Sequence, residues 1–209
     1  MKKIDCNDST VGLRKLIEDI TVQCINHNYK ISFTPDSVDP NDPLGGFVDS
    51  ELRNVNIVTG YNGWVTTLPH EASHLDQIFE KSPLWMNKLL RSYSIFAPKK
   101  HPNKKTSEAV YYATAKLEID CDTRAVKKIV DYDLKLLIDL NDYIQTANVY
   151  HASHMYFHKY KCFYHPKFNP SLVDSIRELF PNDRVLQFHE SWVSRPLLEE
   201  YIKKHHTPY

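Results

Sequence analysis

His70, Glu71 and His74 stand in the run His-Glu-Ala-Ser-His, an H-E-x-x-H motif. On a helix, residues four apart lie on one face a turn apart, so both imidazoles can share one tetrahedral ion. Glu71 projects beside them and can reach a water activated by the metal without ligating the metal itself. The chemistry this spacing serves is hydrolysis. Zinc acidifies water and polarises a carbonyl, while the carboxylate takes the water's proton and later passes it to the leaving amine. With 11 histidines and 10 glutamates in 209 residues, the motif is expected about 0.03 times by chance. An exposed helix carrying two unrelated histidines is therefore the weaker reading.

A catalytic zinc also needs a third protein ligand, with the fourth position left for water. A Gly three residues after the second His and a His six after it would provide one solution, but those positions hold Gln77 and Glu80. The run Leu117-Glu118-Ile119-Asp120-Cys121-Asp122 provides another. Glu118 and Asp122 are four apart on an expected helix, beside an apolar stripe. A carboxylate pair at the edge of a buried face is costly without a cation or hydrogen-bond donors. Glu118 as ligand, with Asp122 accepting the second N–H of a ligating imidazole, removes that cost. The competing reading is a solvated acidic face that pairs with Lys116 and Arg124.

H-E-x-x-H on one helix and E-x-x-x-D on a later one resembles the gluzincins, the thermolysin-like superfamily of zinc metallopeptidases. The resemblance rests on His70 to His74 and Glu118 to Asp122, with the preceding strands, and does not extend past Val130. It implies His70, His74 and Glu118 as ligands of one zinc ion per chain, Glu71 as general base, and Asp122 as the residue that orients a ligand. It also implies an edge strand ahead of the motif helix that holds a substrate in extended form; residues 55–58 are the candidate. The chain lacks room for the second lobe of the larger members.

A second cluster, His151, His154 and His158, falls on one helical face. It could form another metal site or donate the third ligand, or one member could stabilise an oxyanion. The plainest reading is an aromatic-rich packing face. Tyr111, Tyr112 and Tyr150 are further candidate oxyanion donors.

The elements that must position these residues follow from periodicity. A first helix is expected at about residues 11–27, where Leu13, Leu16, Ile17, Ile20 and Cys24 recur at helical spacing. Residues 30–34 read as a strand, 35–43 as a proline-rich loop, and 47–48 with 55–58 as two more strands. The motif helix is expected to begin near Thr67, which would keep Pro69 in its first turn, where a missing N–H costs nothing. Further helices are expected at about 84–93, then 106–130 capped by Thr106, then 134–160, with shorter ones at 169–180 and 196–204. Val110, Ala113, Leu117, Cys121 and Ala125 form the apolar stripe of the second of these.

The fold class expected is α+β, mainly α, with about three strands packed on the two motif helices. The chain reads as one domain over residues 1–209, with a catalytic core at about 10–130 and a helical extension at about 131–209. With 26 basic and 26 acidic residues, nothing global points to a nucleic-acid partner. Lys99, Lys100, Lys104 and Lys105 read as a solvated loop. No apolar run suits a signal or a membrane span, and four scattered cysteines suit free thiols, so a cytoplasmic setting without membrane contact is expected. The expected activity is peptide-bond hydrolysis on a peptide or protein substrate. The alternatives are a non-catalytic zinc-stabilised module that binds a peptide, and a regulatory protease specific for one partner.

Overall fold

A computed structural model describes residues 6–35, 45–60, 63–92, 100, 102–160, 176–191, 196 and 200; of residues 6–9 and 153–160 it describes the backbone alone. The protein is mainly helical with one small mixed sheet. By contact density the chain divides into two compact units, one of Met1–Glu80 with Arg124–Leu140, the other of Lys81–Thr123 with Asn141–Tyr209.

In the first unit, helix α1 (Cys6–Asn26) buries Leu16, Ile20 and Cys24, spaced four apart. It ends where Asn28 turns into the left-handed region at φ 57°. There the Tyr29 N–H bonds to the Cys24 carbonyl at 2.8 Å and the Asn28 N–H to the Ile25 carbonyl at 3.2 Å. This is a Schellman stop, and Asn fills the position because its short polar side chain tolerates that conformation. Strand β1 (Lys30–Thr34) follows at once, with the expected bounds.

Strands β2 (Gly46–Asp49) and β3 (Asn54–Val58) pair antiparallel as a hairpin, and β1 pairs with β3 in parallel. The hairpin turn is closed by Oδ1 of Asp49, which accepts the N–H groups of Glu51 and Leu52. The sheet order is β1-β3-β2. Residues 55–58, expected to form a substrate-holding edge, therefore lie in the central strand. Both sides of β3 already hold a neighbour, and Val55, Asn56, Ile57 and Val58 are all buried. The edges are β1 and β2.

Helix α2 (Trp64–Phe79) carries the motif. It begins three residues earlier than expected, which puts Pro69 inside the helix. A proline there deprives the Val65 carbonyl of its donor. The turn ahead of it is secured separately: the N–H and hydroxyl groups of Thr66 and Thr67 all point to the Gly63 carbonyl, at 2.6–3.2 Å. Leu68, Ala72 and Leu75 form the buried stripe, at the i, i+4, i+7 spacing of one helical face.

Helix α4 (Lys104–Asp131) runs unbroken and contributes to both units. Its N-terminal capping side chain is Asn103, not Thr106: Oδ1 of Asn103 accepts the Thr106 N–H at 2.9 Å. The expected stripe of Val110, Ala113, Leu117, Cys121 and Ala125 is buried throughout. Within the first unit, Arg124 pairs with Glu80 at 2.8 Å and Lys128 with Asp76 at 2.6 Å. These two ion pairs hold the last turns of α4 along α2.

The helix expected over 134–160 is interrupted. Asp133 takes a left-handed φ of 52°, Leu134–Leu136 forms a single 3-10 turn, and α5 (Leu140–Tyr160) starts afresh. Asp139, Asn141 and Asp142 favour a helix start over a helix interior, because their side chains compete for nearby backbone groups. The helix expected at 84–93 shrinks to α3 (Lys88–Ser92). Most of 169–180 and of 196–204 falls outside the described residues. No described helix is long and apolar enough to cross a membrane.

Candidate metal centre

Helix α2 sets the two motif imidazoles edge to face, with ring centroids 4.8 Å apart and planes at 90°. His74 is buried and His70 is half-buried. Nδ1 of His74 lies 2.9 Å from Oε1 of Gln77, one turn on, and Gln77 has no exposed surface. An amide oxygen accepts and does not donate, so this contact puts the ring proton on Nδ1 and leaves Nε2 with its lone pair. That is the tautomer a metal ligand needs.

Glu71 is 7 % exposed. Its side chain lies against β2 at Gly46: a Cβ built on Gly46 would stand 3.2 Å from Cγ of Glu71 and 2.9 Å from both Cγ2 of Thr67 and the Asn56 carbonyl oxygen. A glycine at this position lets the carboxylate-bearing turn approach the strand backbone.

A ring nitrogen of His70 and one of His74 lie within 4.8 Å of each other, and the two imidazoles could share a metal ion. Glu118 and Cys121 belong to the second unit, where Cys121 is a reduced, fully buried thiol and Glu118 is half-buried.

Imidazole nitrogens are donors that zinc accepts, and tetrahedral zinc would set two of them about 3.3 Å apart, a spacing that two rings one helical turn apart can reach.

Asp122 is held in the second unit. Its Oδ1 accepts the Tyr143 hydroxyl at 2.7 Å, and its Oδ2 lies 2.9 Å from Nε2 of His151. Asp122 and His151 are both buried, and Nδ1 of His151 has no hydrogen-bond partner. The bond expected from Asp122 to a motif imidazole has a counterpart at His74 Nδ1, where Gln77 supplies the acceptor.

Tyr150 is half-buried and tilted 50° to the ring of His151, 6.3 Å away. His154 and His158 lie on α5 where side chains are outside the description. Two residues of this site are not legible in the motif: Gln77, which in the sequence is only a position lacking the expected Gly, and Gly46, whose closeness to Glu71 depends on how β2 meets α2.

Comparison with models of protein families, with curated proteins and with solved structures gives no match.

Proposed function

We propose that this chain is a zinc-dependent metallopeptidase in which His70 and His74 hold the metal and Glu71 acts as general base. The observation that carries this reading is the pair of motif imidazoles, with His74 fixed by Gln77 in a metal-ready tautomer beside a buried carboxylate on the same helix. When bound, the ion supplies Lewis acidity: it acidifies water and polarises the scissile carbonyl.

The chain's own residues do the rest. Gln77 holds the His74 ring. Glu71, kept close to β2 by the absence of a side chain at Gly46, takes a proton at its carboxylate and returns it to the leaving amine. Strand β2 is the edge nearest to Glu71 in the fold and has one side unpaired by any described strand. An extended peptide would add there, in place of the central strand first expected. A structural metal site would leave Glu71 without a task, so the carboxylate favours catalysis over a zinc-stabilised binding module.

The test is metal content and peptide hydrolysis on the full chain, wild type beside Glu71→Gln and His74→Ala. Glu71→Gln keeps about one zinc per chain and loses hydrolysis by about 10²-fold or more. His74→Ala loses both. Loss of the metal in Glu71→Gln would make Glu71 a ligand and end this mechanism, and full hydrolysis in that variant would end it equally.

A further inference from the structure

We infer that Phe47 selects the substrate, so that the chain acts on extended segments carrying a bulky apolar side chain at the one position that faces this ring. The inference rests on the peptidase reading above and names the substrate class its open strand edge takes.

The alternation of the β2–β3 ladder carries it. The Val58 N–H donates to the Gly45 carbonyl at 2.9 Å, in line with the register that sets Gly46 opposite Ile57. Bonded and non-bonded positions alternate along an antiparallel pair. With 45 and 58 a bonded pair, Phe47 and Asn56 form the next one. The N–H and C=O groups of Gly46 and Val48 therefore point away from β3, to the side of β2 that no described strand occupies. A peptide added there in the antiparallel sense, the more stable pairing per residue, bonds to Gly46 and Val48.

The two faces of that peptide follow from the pleat. A Cβ on Gly46 points at Thr67 and Glu71 of α2, so the substrate residue opposite Gly46 stands over the motif helix beside the general base. Phe47 is half-buried and lies on the other face. It sits between the two bonding positions, so the substrate residue opposite it makes a non-hydrogen-bonded pair. Side chains approach most closely in such pairs, with Cα atoms about 4.5 Å apart. The ring thus meets one substrate side chain, that of the residue immediately N-terminal to the one over Glu71. An aromatic ring opposite a β-branched or aromatic side chain is a favourable cross-strand combination, worth up to about 5-fold over alanine. A charged side chain in that place loses hydration against the ring and gains no partner.

The experiment gives the full chain, loaded with zinc, a mixed peptide library and reads the cleavage products by sequence. Wild type is expected to enrich bulky apolar residues by about 2–5-fold over alanine at one position, a fixed distance from the scissile bond. Phe47→Lys is expected to replace that preference with Asp or Glu at the same position and to leave the profile elsewhere unchanged. Phe47→Thr, which keeps a strand-favouring residue, is expected to flatten it.

The wild-type profile needs no substitution, so a variant that fails to fold cannot hide the answer. Cleavage by wild type with no apolar preference at any fixed position overturns the inference and leaves the peptidase reading standing. So does a preference that persists in folded Phe47→Lys or Phe47→Thr. Absence of cleavage by zinc-loaded wild type overturns the peptidase reading itself, and this inference with it.

Discussion

Nδ1 of His74 and Oε1 of Gln77 lie 2.9 Å apart across one turn of α2, and both side chains are buried. A buried acceptor this close fixes which nitrogen carries the proton, and so which nitrogen can ligate. Residues that orient a metal-binding imidazole in this way typically account for about 10–100-fold in affinity. Gln77→Leu, close in volume, is expected to lower zinc affinity by that factor in chelator competition, with the helical circular dichroism unchanged. Gln77→Glu keeps an acceptor and should retain affinity. Equal affinity for wild type and Gln77→Leu would mean that Gln77 does not orient His74 for the metal.

Gly46 makes a separate prediction. A Cβ there meets the Asn56 carbonyl and Cγ2 of Thr67 at 2.9 Å and Cγ of Glu71 at 3.2 Å. The first of these is strand backbone, which cannot give way cheaply. Gly46→Ala should therefore cost about 1–3 kcal/mol of stability, the usual range for overpacking. Because Glu71 is one of the atoms displaced, hydrolysis should fall by more than the loss of folded protein explains. Measuring activity per folded molecule, with the folded fraction taken from a denaturant titration, separates the two effects. A fully active, fully stable Gly46→Ala would show that α2 can move away from β2.

How far this site was legible in the sequence depended on whether a relationship was local or distant. The H-E-x-x-H turn and its helix are local, and β1 was located to the residue, because Lys30–Thr34 is bounded by turn residues on both sides. The mainly helical α+β class with three strands was legible for the same reason. Strand order is not local. Nothing within residues 55–58 says whether β1 will pair with them, and the parallel β1–β3 ladder is what moves β3 from edge to centre.

Asp122 makes a further prediction. Read as the residue that orients a zinc-bound imidazole, its removal is expected to spare the fold. Its carboxylate accepts the Tyr143 hydroxyl at 2.7 Å and lies 2.9 Å from Nε2 of the fully buried His151. Asp122→Ala removes this acceptor from the Tyr143 hydroxyl and the buried His151 ring, and a buried polar group left unsatisfied typically costs about 1–3 kcal/mol. The variant should unfold at clearly lower denaturant or temperature than wild type. The double variant Asp122→Ala, His151→Phe should recover part of that loss, because the stranded imidazole is gone. A single variant as stable as wild type would show that this cluster does not anchor α4 to α5.

The Tyr132–Asp19 pair predicts an alkaline limit to stability. The Tyr132 hydroxyl donates to Oδ2 of Asp19 at 2.7 Å. Burial raises the phenol's pKa to about 12, with the hydrogen bond to Asp19 and the charges of Asp19, Asp76 and Asp131 adding to the rise. A phenol whose pKa is higher folded than unfolded stabilises the fold only while both states hold the proton, below its ordinary value of 10.0. Above that pH the unfolded chain releases the proton and the folded chain does not, so stability falls until the folded value is passed. Tyr132→Phe has no proton to lose. At pH 8 the variant should be less stable than wild type by about 1 kcal/mol, the typical worth of one hydrogen bond. As pH rises from 9 to 11 the gap should narrow, because only wild type loses stability through this group. Urea titrations of both proteins at each pH give the difference directly. A gap that stays constant or widens above pH 10 would mean that the phenol ionises as readily in the folded protein as in the unfolded chain.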